Sequence, residues 1–270
     1  MTTQNLPGGS PWVRRALAVY GAIVLFFLML PTLIVMPMSF SDSQYLEFPP
    51  QAWSLRWYRA YFGSDAWMDA TRTSLLAAIL VTLLATPLGT LAAYGMHCGS
   101  ARLRDGVQLL VLMPIVIPTV LVAVGVFHLY AILDLNYTLT GVVLAHTALA
   151  VPFVVISVLA SLRSCDMTQE MAARSMGASR TRAFLTVTLP QVRFAMLTGA
   201  FLAFITSLDE VVVAMFVSGG ENATITRRMF NSLRDQIDPT IAAISTCLIV
   251  VSVVALAAVQ LLGKSPKGSG

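Results

Sequence analysis

QEMAARSMGASRTRAFLTVTLP, residues 169–190, is the stretch on which the reading of this chain turns. It is polar and basic, carrying Arg174, Arg180 and Arg182, yet it lies between two long apolar runs. Its residues predict two short helices folded against each other. The first covers Glu170 to Met176 and stops at Gly177, where a chain leaving a helix takes positive φ. Ser179 then offers an N-cap to a second short helix reaching Val187. Pro190 sits where a further helix begins, at the first-turn position that wastes no backbone donor. A long apolar segment follows, through Ser207-Leu208-Asp209-Glu210 to Gly219.

Of the 270 residues, 57% are hydrophobic and only 11% charged, whereas a soluble protein carries about 25% charged residues. The apolar residues fall in blocks of roughly twenty, the length that spans a bilayer as a helix. These numbers predict an all-α integral membrane protein with one membrane domain over 12–262, between flexible tails 1–11 and 263–270. Six spans follow: an apolar run to Phe40 led by Arg14 and Arg15, then Thr73–Met96, Gly106–Leu133, Leu139–Leu162, Pro190–Val217 and Thr240–Leu262. The first run is too long for a signal peptide and has no small-residue cleavage site. Pro31 and Pro37 should bend or fray its end, Pro114 and Pro118 fall within the third span, where a membrane helix tolerates proline, and Pro152 interrupts the fourth. Trp53, Trp57, Tyr58, Tyr61 and Trp67 crowd residues 41–70 and suit interface anchoring, with a substrate-stacking role as the alternative. Ile225, Met229 and Leu233 predict a short surface helix in the loop 218–239.

The basic residues set the orientation. Eleven collect on one side: Arg14, Arg15, Arg102, Arg104, Arg163, Arg174, Arg180, Arg182, Arg193, Lys264 and Lys267. Six collect on the other: Arg56, Arg59, Arg72, Arg227, Arg228 and Arg234. The richer side is cytoplasmic by the positive-inside rule, which puts both termini and the 163–190 loop there. This asymmetry accounts for the basic balance without nucleic acid. Cys98, Cys165 and Cys247 form no disulfide framework, and His97, His128 and His146 lack metal-ligand spacing. Gly263-Lys264-Ser265 imitates the end of a phosphate-binding loop, but the earlier glycine position falls on Ala258 within a span. If this chain moves anything with ATP, another subunit must supply the hydrolysis.

The 169–190 stretch resembles the cytoplasmic loop of permease subunits from ATP-driven, binding-protein-dependent importers. Their pattern is Glu-Ala-Ala, three residues, Gly, nine residues, an aliphatic, one residue, Leu-Pro. Ala172-Ala173, Gly177, Val187 and Leu189-Pro190 match it, while Met171 stands where Glu is expected and Glu170 lies one position early. The resemblance implies a type I (MetI-like) permease fold with six transmembrane helices and a cytoplasmic coupling helix. It implies coupling to an ATPase through Glu170, Ala172, Ala173, Gly177, Ala178, Leu189 and Pro190. It also implies partners: a second, similar permease, two ATPase subunits that bind ATP and Mg, and a periplasmic substrate-binding protein, all at a bacterial inner membrane. The chain itself is then a transport subunit without catalytic residues, cofactor or metal.

Asp209 and Glu210 are the only acidic pair inside a predicted span. A carboxylate deep in a bilayer costs about 2.5–3.5 kcal/mol on insertion scales, so it should face water, the bundle interior or a partner. On one continuous helix Asp209 would share a face with Leu202, Ile205, Val212 and Phe216, a setting for pairing or burial. Glu210 would share the less bulky face of Ala203, Thr206, Val213 and Val217, a setting for a water-accessible path. Leu202-Ala203-Phe204, Ser207 through Val213, Phe216-Val217-Ser218-Gly219 and Asp238-Pro239 resemble polyamine permeases. That resemblance implies a spermidine- or putrescine-like substrate passing Glu210, Asp209, Thr206 and Phe204. Thr224-Ile225-Thr226 departs from the Thr-Leu-Pro common in those relatives. Other solutes within the importer class (an opine, an amino-acid derivative, iron or sulfate) stay open. So do a proton-coupled secondary transporter and a non-transporting membrane scaffold.

Overall fold

The computed structural model describes residues 11–235 and 237–263. The tails expected to be flexible, 1–11 and 263–270, lie outside the described residues except for Pro11 and Gly263, which begin and end helices. Described in chain order, the helices are α1 (Pro11–Met38), α2 (Arg56–Phe62), α3 (Asp65–Cys98), α4 (Ala101–Val116), α5 (Thr119–Leu133) and α6 (Leu139–Ser164). They continue with α7 (Thr168–Ser175), α8 (Arg180–Ala183), α9 (Leu189–Asp209), α10 (Val212–Val217), α11 (Ile225–Asp235) and α12 (Thr240–Gly263). A π-helical turn, Phe184–Thr188, joins α8 to α9, and a 3₁₀ turn, Gly220–Asn222, precedes α11. Among the described residues the only β pairing is an isolated bridge between Ser41 and Trp53. The fold is all-helical, as expected.

Among the described residues, five helical stretches are long and apolar enough to cross a membrane, and a bent pair raises the number to six if it counts as one span. That pair corrects the expected third span, which the sequence drew as one helix. Its halves meet at 100° across Ile117 and Pro118. Pro118 supplies no N–H to continue the ladder and holds Ile117 extended, at φ −73° and ψ 134°. By contrast, Pro31, Pro37, Pro87, Pro114 and Pro152 sit inside helices that continue through them.

The chain divides into two compact units. One holds the residues through Gly63 together with Ile237–Leu248, and the other takes the chain from Ser64 onward apart from those. In the first unit, α1 buries almost nothing of its apolar surface, so lipid or a partner must cover it. The chain beyond α1 folds back on itself: Tyr58 Oη and Ser39 Oγ lie 2.8 Å apart, and Trp57 Nε1 donates to the Ser43 carbonyl at 3.1 Å. Part of the aromatic cluster therefore secures this hairpin-like turn, while Trp53 stays exposed.

The second unit is built on α3, α6 and α9, which pack directly on one another. Helix α6 is its axis, with buried residues along its length from Gly141 to Leu162. Between lipid-embedded helices there is little hydrophobic driving force, so close packing has to supply the affinity. Here Val154 of α6 is seated between Gly89 of α3 and Gly199 of α9. A Cβ at Gly89 would come within 2.6 Å of Val154 Cβ, and one at Gly199 within 3.0 Å of Val154 Cα. Ser157 Oγ also donates to the Ala195 carbonyl at 2.8 Å, tying α6 to α9 through the backbone.

The coupling loop and the acidic break

Helix α7 begins where Asp166 Oδ1 accepts the Thr168 N–H at 2.9 Å. Hydrogen bonds from Thr168 hold the Asp166 carboxyl below its usual range. The helix ends in a Schellman turn. Ala178 N–H donates to the Ala173 carbonyl and Gly177 N–H to the Arg174 carbonyl, with Gly177 at φ +95°. The motif glycine is therefore demanded by backbone stereochemistry, as the sequence implied. Ser179 then caps α8, its Oγ accepting the Arg182 N–H at 3.3 Å.

Beyond α8 the sequence reading needs a correction. Pro190 does lie in the first turn of α9, as expected, but α9 is not a separate start: Arg180–Asp209 is one helical stretch of 30 residues. The π turn makes this possible. Leu189 N–H reaches back five residues to the Phe184 carbonyl, and the widened turn accommodates Pro190, which has no N–H to offer. At 1.5 Å per residue the stretch is about 45 Å long.

Glu170 is the buried member of α7, 4% exposed, whereas Met171 and Met176 are 56% and 83% exposed. Its carboxylate accepts a hydrogen bond from Tyr94 Oη of α3 at 2.6 Å and another from Thr188 Oγ1 of the π turn. The Tyr94 ring packs against Phe184 with centroids 4.4 Å apart, and the Arg180 guanidinium lies 5.7 Å from its centroid. Ala172 and Gly177 are exposed, as is Pro190; Ala173, Ala178 and Leu189 are half-buried. Apart from Glu170, α7 thus presents small and flexible side chains outward.

Along its length α9 buries Val192, Gly199, Ala203, Ser207 and Leu208. Ser207 Oγ lies 3.0 Å from Nδ1 of buried His146 on α6. Two residues later the helix breaks. Glu210 is extended at φ −67° and ψ 117°, and α10 restarts at Val212. The continuous helix expected through 190–217, with Glu210 on the face of Ala203 and Val213, is therefore corrected. Glu210 turns its Oε1 onto the Val213 N–H at 2.8 Å and caps α10. Its own carbonyl accepts from Thr226 Oγ1 of α11 at 2.8 Å, and the Ile225 N–H donates to Ser74 Oγ of α3 at 2.8 Å. A self-capping carboxylate is what frees the chain to leave the helix here.

Asp209 is exposed and, among the described residues, carries no hydrogen bond or ion pair. The expected setting of pairing or burial is not what surrounds it in this chain. Leu189 to Asp209 covers 21 residues, about 31 Å, comparable with the hydrocarbon thickness, so the break lies toward the end of the span remote from α7. Thr206 and Phe204 are half-buried on the preceding turn. The structure brings Glu170 together with Tyr94 and Thr188, and the 21 residues of α9, Leu189–Asp209, separate that cluster from Asp209. Tyr94, Thr188, His146 and Thr226 escaped the sequence reading. Thr188 falls inside the matched motif, but the others carry no local signal, because each becomes a partner only across the tertiary fold.

Residues 85–267 match the family described as binding-protein-dependent transport system inner membrane component. The putrescine transport system permease protein PotI of Escherichia coli is 32% identical across 97% of this chain and 95% of its own length. The spermidine/putrescine transport system permease protein PotC of Haemophilus influenzae is 27% identical across 89% of this chain and 93% of its own. Among solved structures, a bacterial ABC transporter involved in import of the acidic polysaccharide alginate superposes with TM-score 0.73 at 16% identity, covering 94% of this chain and 98% of that one. An amino acid ABC transporter superposes with TM-score 0.57 at 18% identity, covering 76% of this chain and 94% of that one. At such identities these two structures establish the fold, and the family match covers most of the chain. With its apolar helices and its coupling-loop motif, the chain belongs to the inner membrane components of binding-protein-dependent transport systems.

Proposed function

We propose that this chain is one of two permease subunits of an ATP-driven importer for a polyamine-like cation. A second, similar permease stands beside it. Two ATPase subunits bind ATP and Mg below, and a periplasmic binding protein delivers substrate above. Both termini and the 163–190 loop face the cytoplasm of a bacterial cell. The likeness to PotI and PotC supports the substrate class.

One observation carries this reading: a single helical stretch runs from Arg180, beside the coupling helix, to Asp209, an exposed carboxylate at the break with no partner among the described residues. Closure of the ATPase dimer presses on α7. The continuous helix carries that displacement along its length and shifts Asp209 relative to α10, which Thr226 and Glu210 hold to α11. A diamine or triamine offers ammonium groups to Asp209, and one such contact at 4 Å is worth about 4 kcal/mol at an effective dielectric near 20. Glu210 holds the break in shape by capping α10 and is not the first carboxylate the cation meets.

The test is uptake of putrescine by the complex in vesicles, with assembled complex matched between variants. Asp209→Asn is expected to lower uptake at least tenfold. Glu210→Gln, whose amide oxygen still accepts from Val213, is expected to lower it less. Uptake unchanged in Asp209→Asn removes that residue from the path, and a complex that transports only anions refutes the substrate class.

A further inference from the structure

The family motif puts a carboxylate on the coupling helix, and the obvious role for Glu170 is contact with the ATPase. Its geometry argues otherwise. Glu170 is 4% exposed, and both of its carboxylate oxygens are occupied from within this chain, one by Tyr94 and one by Thr188. Those partners come from different elements: Tyr94 from the end of the core helix α3, and Thr188 from the π turn that leads into α9. The neighbouring position, Met171, stands where the motif has its glutamate and is more than half exposed.

We propose that Glu170 is a positioning residue, an internal latch that makes α7, the end of α3 and the π turn move as one piece. The mechanical consequence rests on the permease reading given above. A short helix of eight residues, joined to α8 only by a glycine turn, would otherwise pivot on Gly177 when pushed. Its displacement would then dissipate in the loop. With Glu170 bonded to Thr188, force on α7 is applied directly to the π turn within the Arg180–Asp209 stretch, just ahead of α9. The bond to Tyr94 supplies the fulcrum on α3, and Phe184 and Arg180 pack on the Tyr94 ring to hold it in place. The outward residues Met171 and Met176 are left to meet the ATPase.

Two readouts on the assembled, vesicle-reconstituted complex test the latch separately from the transport reading. The first is amide hydrogen exchange over 168–175 without nucleotide, which needs no transport activity. Glu170→Ala and Tyr94→Phe are each expected to speed exchange there at least tenfold. The second is ATP hydrolysis stimulated by the binding protein. It is expected to fall at least fivefold in both variants while unstimulated hydrolysis and ATPase retention stay at wild-type levels. Glu170→Gln, which can accept from Tyr94 and donate to Thr188, is expected to restore most of both. The Glu170→Ala/Tyr94→Phe double variant should be no worse than the poorer single one, as expected of two residues in one unit. Unaltered exchange in Glu170→Ala overturns the latch. So does loss of the ATPase from Glu170→Ala with Tyr94→Phe unaffected, which makes Glu170 a direct contact. A wild-type complex that imports no amine refutes the substrate reading alone, since the exchange measurements still decide the latch.

Discussion

Replacing Gly177 separates two explanations for the motif glycine: room for a docked ATPase, or a backbone angle that other residues resist. An ideal Cβ added at Gly177 meets nothing within 4 Å, yet φ is +95°. Within the chain the penalty is therefore conformational, about 1–2 kcal/mol for an ordinary L residue held in the left-handed region. That corresponds to roughly a 5- to 30-fold loss in the population of the closed turn. The two bonds at stake are Ala178 N–H to the Ala173 carbonyl and Gly177 N–H to the Arg174 carbonyl. Asparagine tolerates positive φ better than alanine although it is larger. Stimulated ATP hydrolysis by the assembled complex should therefore rank Gly177 above Gly177→Asn, and that above Gly177→Ala, with Gly177→Asp reduced as well. If Gly177→Asn proves worse than Gly177→Ala, side-chain volume decides and the partner's approach is the cause. Full activity in Gly177→Ala would refute the conformational reasoning.

Gly89→Ala should destabilise the purified protein by about 1–3 kcal/mol, the usual cost of overpacking, because its Cβ would lie 2.6 Å from Val154 Cβ. Gly199→Ala should cost less, and Gly125→Ala, with open space around it, should be neutral; thermal unfolding in detergent gives the order. For topology, single cysteines at Ser43 and Glu221 should react with an impermeant reagent from the periplasm and one at Ser100 should not. Cys98, Cys165 and Cys247 are removed first, since Cys98 is itself exposed. Labelling of Ser100 from outside would invert the orientation.

Most of the architecture is legible from residue chemistry because it is local. Apolar blocks of membrane length announce the long helices, and α11 follows from the spacing of Ile225, Met229 and Leu233. The Gly177 turn and the Ser179 cap need only the stereochemistry of a few neighbouring residues. Prolines are harder to read, since their effect depends on what surrounds them. Pro118 breaks its helix, while Pro190 is absorbed by a π turn and Pro152 by the packed length of α6. Periodicity likewise cannot foresee the break at Glu210, because an apolar run keeps its pattern whether or not a side chain turns back to cap the next helix.

The amino-acid sequence by itself determined the membrane class, the coupling-loop motif and the presence of two adjacent carboxylates in the fifth span. Composition, segment length and short-range spacing carry those properties, and none depends on contacts between distant residues. The tertiary structure alone decided what each acid does. Asp209 ends α9 exposed, Glu210 is spent on the Val213 N–H, and Glu170 is drawn inside by Tyr94, a residue 76 positions away. A carboxylate's role follows from the donors that reach it, and here those donors arrive by helix packing and by the break in α9.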